Sequence, residues 1–242
     1  LPFAAVPDGT IDSHADGGPP LRVLVAARDE ERLIGATLRA LADAFPGAVL
    51  WVADDGSRDG TATLALGAGA RVIGGRPAGK GAAMTRAADV ALAELEPGAN
   101  PVFLLCDGDL GDSAGRLGPL VEAVHGGEAD VVVAAFSQRL GGGLGLAVGF
   151  ARWALARRCG LDLRAPISGQ RAMRAGTLRR ALPLASGYGM ELGMTIDLVR
   201  SGARLEEVEL DLSHRVTGRT VGGFLHRGRQ LLDFLRVYLS RR

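Results

Sequence analysis

Between Val102 and Asp109 the chain reads Val-Phe-Leu-Leu-Cys-Asp-Gly-Asp, an apolar run that ends in two carboxylates separated by one glycine. A stretch this short, bulky and uninterrupted predicts a strand buried on both faces, the habit of parallel sheets covered by helices. Ligands of open α/β sheets gather beyond the carboxyl ends of the strands, so Asp107 and Asp109 are expected at the rim of a site. Two carboxylates that close repel each other unless a cation lies between them, and all-oxygen ligation suits Mg²⁺ or Mn²⁺. An acidic turn in which one aspartate caps the following helix fits the same pattern. On this stretch alone both readings stand.

The rest of the chain repeats that pattern. Leu21–Ala27 predicts a first strand, followed by Asp29 as an N-cap and by Leu33, Ile34, Leu38 and Leu41 at helical spacing. Ala48–Ala53 predicts a second strand, and it too runs into acids, Asp54-Asp55-Gly56-Ser57. Asp59-Gly60-Thr61 opens another helix, Ala70–Ile73 a short strand, and Gly79-Lys80-Gly81 an alanine-rich helix reaching about Leu95. After the Asp107 strand come a helix near Ala114–Val124 and a strand at Ala129–Ala135. Strand and helix thus alternate at βαβ spacing over residues 21–135, and right-handed crossovers give a mostly parallel sheet with helices on both faces. Beyond Gly141-Gly-Gly143 the rhythm changes: a helix at Leu144–Arg158, a loop-to-strand stretch at Pro166–Arg171, a helix at Met190–Arg200, a strand at Arg204–Leu210 and an amphipathic helix from Phe224 to Leu239.

A chain of 242 residues can bury one full α/β core. The expected organisation is a loose leader over 1–20 and one domain over 21–242. Residues 21–135 form its nucleotide-binding part, and 136–242 its acceptor part with the C-terminal amphipathic helix. A formal net charge of +1 argues against general nucleic-acid affinity. Cys106 and Cys159 lack metal-ligand spacing and are expected reduced and buried, which fits a cytoplasmic protein. No apolar run is long enough for a membrane span.

Lys80 is the only lysine, and it lies in Gly74-Gly-Arg-Pro-Ala-Gly79-Lys80-Gly81. This nearly matches a phosphate-binding P-loop, but Gly81 stands where the Mg²⁺-binding hydroxyl belongs, and Pro77 removes a backbone donor. A dinucleotide fold is disfavoured because Ala26-Ala-Arg-Asp-Glu30, not a Gly-x-Gly-x-x-Gly turn, follows the first strand. A nucleotidyltransferase would carry a Gly-rich, Arg-containing loop at that same place, and none is there.

Taken together the motifs resemble those of family 2 glycosyltransferases with the GT-A fold. Val52-Ala-Asp-Asp-Gly-Ser-Arg-Asp-Gly-Thr61 is similar to the family's V-V-D-D-G-S-x-D-G-T, and Val25-Ala-Ala-Arg-Asp-Glu30-Glu31 to its first-strand I-P-A-Y-N-E-E, with Ala26 and Arg28 replacing the usual Pro and aromatic. Gly79-Lys80-Gly81 resembles its G-K-G turn, and Asp107-Gly108-Asp109 takes the D-x-D place. Ser168-Gly169-Gln170-Arg171 and Gly189-Met190-Glu191 resemble its later S-G-x-x and acidic helix motifs. The resemblance runs over roughly residues 21–220.

It implies a metal-dependent transferase that moves a sugar from a nucleoside diphosphate sugar, of UDP or GDP type, to an acceptor. Glu30 and Asp54 would accept hydrogen bonds from the ribose and base, where charge-assisted bonds are the stronger kind. Asp54 also fits an Asx-turn. Lys80 would contact the donor phosphates, Asp109 would bind Mg²⁺ or Mn²⁺, and Asp107 would contact the ribose or the metal. Some members, such as the glucosyl-3-phosphoglycerate synthases, use a late histidine as a further metal ligand, and His214 stands in a comparable place. Glu191 is the candidate general base, or an acid favoured by a helix start.

Arg215, Arg219, Arg227, Arg229 and Arg236 gather around Phe224, Leu225, Leu231 and Leu235. They suggest an anionic acceptor, either a small phosphorylated metabolite or a polyprenyl phosphate at a membrane surface, with a solvated basic helix face as the plainer reading. Peripheral contact with the inner face of a membrane and pairing into a homodimer are the partner options that accompany it. A sugar nucleotidyltransferase and a non-catalytic nucleotide-sugar binder are the rival functions.

Overall fold

The structure is a computed structural model and describes residues 20–136, 145–212 and 232–241. Seven strands form one sheet: β1 (Arg22–Ala27), β2 (Val49–Asp54), β3 (Arg71–Ile73), β4 (Val102–Asp107), β5 (Val131–Phe136), β6 (Arg171–Arg174) and β7 (Leu205–Leu210). Their order is β3-β2-β1-β4-β6-β5-β7. All the pairings are parallel except those of β6, which runs antiparallel to both β4 and β5. The chain leaves β5 at its carboxyl end and re-enters the sheet from that same end, so β6 must point the other way. The expected α/β architecture, a mostly parallel sheet between helices, is what the chain adopts.

Period-two alternation sorts side chains to the two faces. Val23, Val25 and Ala27 of β1 pack on one face with Ile34, Leu38 and Leu41 of α1 (Ile34–Ala44) and with Leu120 and Val124 of α4 (Gly118–His125). Leu24 points to the other face. There it meets α3 (Lys80–Ala93), α6 (Ala175–Ala181) and α7 (Met190–Arg200) through Met84, Leu178 and Met190. Each such Leu or Met, when fully buried, contributes about 1.5–3 kcal/mol, so the sheet's ends are held on a stiff frame.

A third cluster joins α5 (Gly145–Cys159), α7 and a helix α8 over residues 232–240, whose Phe234 and Val237 are buried. The amphipathic helix expected over 224–239 is described only in this last part. His214, Arg215, Arg219, Arg227 and Arg229 lie outside the described residues.

Three local expectations are corrected. Asp29 does not cap α1. It takes a positive φ of 55°, accepts the Arg58 amide at 2.8 Å and donates its own amide to Ser57 Oγ at 3.0 Å, fastening the end of β1 to the loop after β2. The single helix expected near 114–124 is split into a 3₁₀ segment, Gly111–Leu117, and α4. Pro119 explains the break, because a residue without an amide hydrogen is tolerated at a helix start and not inside one. Cys106 is buried, but Cys159 is only partly so, and both are free thiols. Burial pushes the Cys106 thiol well up, so it stays protonated.

Candidate active site

The carboxyl ends of β1, β2 and β4 lie side by side, with Ala27 paired to Asp54 and Ala26 to Asp107. The acids that follow each strand therefore converge because the strands are in register. This is also where the sheet order turns back, since β1 is flanked by β2 and β4, the place at which an α/β sheet opens a crevice.

Lys80 stands at the centre. As the first residue of α3 it reaches across the sheet end and places its ammonium 2.6 Å from Asp107 Oδ1 and 2.7 Å from Glu191 Oε1. Burial alone would lower its pKa, but the attraction of Asp107 and Glu191 overrides that and holds it well above the ordinary lysine range. The Glu191 side chain is 8% exposed, and those of Lys80 and Asp107 about a third. Asp107 is gripped from its other oxygen as well, where Gln170 Nε2 donates to Oδ2 at 2.8 Å. Ser168 Oγ in turn donates to Gln170 Oε1 at 3.0 Å, which fixes the orientation of that amide.

Gly169 sits between these residues, and a side chain there would have to push their charged ends aside. A Cβ there would lie 2.7 Å from both Asp107 Oδ2 and Lys80 Nζ. Gly56 has a comparable constraint at the end of β2. Its φ is +72°, and a Cβ would fall 2.7 Å from Pro77 Cδ, because the loop before α3 folds over the end of β2.

That loop is held by Asp55. Its Oδ1 accepts the Ala78 and Gly79 amides at 2.7 and 2.9 Å, and its Oδ2 accepts Arg28 Nη1 at 3.2 Å. Asp55 is therefore what brings Gly79-Lys80 to the rim, a role the sequence reading did not assign. The signal for it was the second acid of Asp54-Asp55, which a lone capped turn does not need. Asp54 accepts the Ser57 amide at 3.1 Å and the Ser57 hydroxyl through a short bond. The Asx-turn reading of Asp54 thus describes its contacts within the protein, and the residue is buried, at 6% exposed. Glu30 is half-buried; its amide donates to Thr61 Oγ1 at 2.8 Å, so Glu30 is tied to the start of α2 (Thr61–Gly67).

Asp109 follows in the turn after β4, partly exposed, two residues from Asp107. Among the described residues no group of three or more His, Cys, Asp or Glu side chains is arranged to hold a metal ion. Asp107 and Asp109 supply two carboxylates, and His214, the ligand expected from the sequence, lies outside the described residues.

The structure thus gathers Asp54, Lys80, Asp107 and Glu191, with Glu30 and Asp109 beside them, from five separate segments. In the sequence Gln170 and Arg171 stand out only as part of a motif. The tertiary structure gives them contacts: Gln170 on Asp107, and Arg171, fully buried, under the turn that precedes it.

The chain is similar in sequence and fold to known proteins. Glucosyl-3-phosphoglycerate synthase of Mycolicibacterium paratuberculosis is 31% identical over 209 residues, which cover 76% of this chain and 61% of that protein. The chain therefore spans less than two thirds of that relative's length. Glucosyl-3-phosphoglycerate synthase from Mycobacterium tuberculosis in complex with Mn²⁺, UDP-glucose and phosphoglyceric acid superposes with a TM-score of 0.72 at 27% identity, covering 95% of this chain and 81% of that one. The same enzyme with Mg²⁺ and UDP gives a TM-score of 0.73 at 28% identity, with 95% and 81% covered. Residues 22–149, more than half of the chain and the part that carries Glu30, Asp54, Lys80, Asp107 and Asp109, match one family throughout: the chain belongs to glycosyl transferase family 2.

Proposed function

We propose that the protein transfers a hexosyl group from a nucleoside diphosphate sugar of the UDP-glucose kind to a small phosphorylated acceptor, with Mn²⁺ or Mg²⁺ as cofactor. The observation that carries this reading is the Lys80 ammonium held between Asp107 and Glu191 at the carboxyl end of the sheet. It is a cation at the rim of a nucleotide crevice, poised between internal carboxylates and an incoming diphosphate. Relatives with this fold supply the substrate class: they were solved with UDP-glucose and with phosphoglyceric acid or glycerol 3-phosphate.

The donor set fits a hard divalent ion, because Asp107 is already a site for positive charge and Asp107 and Asp109 offer only oxygen. These two residues would hold the ion, with His214 as a third ligand. When bound, it neutralises charge developing on the nucleoside diphosphate leaving group. The protein's own groups do the rest. Asp54 and Glu30 accept from the nucleoside, and the Asp55-anchored loop presents Lys80 to the diphosphate. Gln170 keeps Asp107 oriented while Lys80 exchanges partners. Glu191 pairs with Lys80 and would be free to act on the acceptor side once the ammonium turns to the donor.

A second reading rests on one observation. α8 exposes Leu232, Leu235 and Leu239, spaced three and four residues apart on one side. Such a row suits a lipid surface carrying a polyprenyl phosphate acceptor, or a second copy of the chain. Among the described residues no helix is long and apolar enough to cross a membrane.

The test is nucleoside diphosphate release from UDP- and GDP-glucose with Mn²⁺, with phosphoglycerate or a polyprenyl phosphate as acceptor, alongside flotation on anionic liposomes and sedimentation velocity. Product with the soluble acceptor and no flotation is the expected result. Transfer confined to the lipid acceptor would replace it with the second reading. Pyrophosphate release from a nucleoside triphosphate and a sugar phosphate would overturn both.

A further inference from the structure

Arg171 is the largest side chain fully buried in the described residues, at 0% exposed. It opens β6 in the middle of the sheet, paired with Leu105 of β4 and Val133 of β5. Its three described hydrogen bonds all end on neutral oxygens: Nε on the Ser168 carbonyl at 2.9 Å, Nη2 on the Pro166 carbonyl at 3.3 Å and Nη1 on Thr195 Oγ1 at 2.8 Å. Burial brings its pKa down to about 10, with Glu191 and Glu207 the acids that resist the fall. A buried charge without a carboxylate in contact is poor for stability, and an apolar residue of similar volume would pack there at lower cost. Its contacts say what the charge accomplishes.

The Ser168 and Pro166 carbonyls belong to the turn whose Gln170 holds Asp107 and whose Gly169 lies against Lys80. Thr195 lies one turn beyond Glu191 in α7 and passes the bond on, its hydroxyl donating to the Glu191 carbonyl at 2.9 Å. One guanidinium therefore touches the turn under Asp107 directly and, through the Thr195 hydroxyl in the second turn of α7, is linked to the Glu191 carbonyl. No other described hydrogen bond joins these two segments directly.

We infer that Arg171 is a positioning residue that sets the Asp107 side and the Glu191 side of the site at a fixed separation, so that one ammonium can span them and be handed to the donor. Its planar fork is the reason for an arginine, since three donors in fixed directions reach three oxygens on two segments, which a lysine cannot do. The kinetic arm of this inference rests on the function proposed above; the coupling of the two segments does not.

The experiment uses Arg171→Met, Arg171→Lys and Thr195→Val in the full chain, with two readouts. Amide hydrogen exchange is expected to quicken in both 166–170 and 187–195 for Arg171→Met, with the rest of the sheet unchanged. In Thr195→Val, which cuts only the α7 side, it is expected to quicken in 187–195. Transfer kinetics are expected to show kcat lowered on the order of 10- to 100-fold in Arg171→Met, the scale of a small misplacement of reacting groups, with donor KM changed far less. Arg171→Lys should recover little of this, and adding Thr195→Val to Arg171→Met should lower kcat no further. Unchanged exchange in either segment, kcat within about twofold of wild type in Arg171→Met, or losses that multiply in the double variant would each overturn the inference. Should Arg171→Met fail to fold, Arg171→Lys and Thr195→Val carry the same two readouts. If the wild-type protein turns over no nucleotide sugar, the proposed function fails while hydrogen exchange still decides the coupling.

Discussion

Replacing Lys80 with methionine keeps most of the side chain's packing and removes its charge. The lost contacts are charge-assisted bonds at 2.6 Å to Asp107 and 2.7 Å to Glu191. A bond to a charged group contributes about 1.5–3 kcal/mol when buried. Lys80 and Asp107 keep 29% and 31% side-chain exposure, so solvent screens part of their pair, whereas Glu191 at 8% loses more when it is left alone. The two bonds together then come to ~2–3 kcal/mol after that discount. For a chain of this size that is a fall in Tm of roughly 4–12 °C.

The pH dependence has a definite sign. The folded ammonium has a raised pKa, so its stabilisation is fully present below the pKa of an unfolded lysine, about 10.4, and is lost only as pH rises through the still higher folded value. Urea unfolding of both proteins should therefore give a stability gap that stays level from neutral pH to about pH 10. Calorimetry with UDP and Mn²⁺ should show a parallel loss of about 1.5–3 kcal/mol in nucleotide affinity, because the donor-facing cation is gone. A gap under ~0.5 kcal/mol, or one already halved near pH 10, would show that the bridge does not hold the site together.

Asp109→Ala should leave Tm close to wild type, since the residue lies at a rim, and remove more than about nine-tenths of transfer and donor hydrolysis. EDTA should mimic it in the wild-type protein, with Mn²⁺ or Mg²⁺ restoring activity; retained turnover in either arm counts against the metal assignment. Asp54→Ala is expected to weaken UDP binding by about 1–3 kcal/mol in calorimetry. An unchanged Kd would leave Asp54 as the anchor of Ser57 alone. Gly169→Ala should abolish transfer in a protein whose circular dichroism is unchanged, because the new Cβ displaces Asp107 and Lys80; normal kinetics would mean that the turn yields freely.

The order of strands and helices, the mostly parallel sheet and the convergence of acids at its carboxyl end were legible in the chain. Uninterrupted apolar runs such as Val102–Cys106 can be satisfied only by burial on both faces, and each run stops at its acids. The motifs around Glu30, Asp54, Lys80 and Asp107 were likewise readable, because each occupies a few consecutive residues whose backbone shape and chemistry are local.

Direction and partnership were decided by the tertiary structure. β6 runs antiparallel because of where its preceding loop re-enters the sheet, which four residues cannot encode. Asp29 looked like a helix cap by position and instead ties two loops, since Ser57 and Arg58 reach it from 28 and 29 residues away. Lys80 and Glu191 are 111 residues apart, and nothing local says that they share a bridge. Arg171 reads as the last residue of a short loop-to-strand motif, yet it is the most deeply buried cation at the site. A side chain's local sequence sets what it can donate or accept; which oxygens stand within 3 Å of it follows only from how the sheet and its helices close around it.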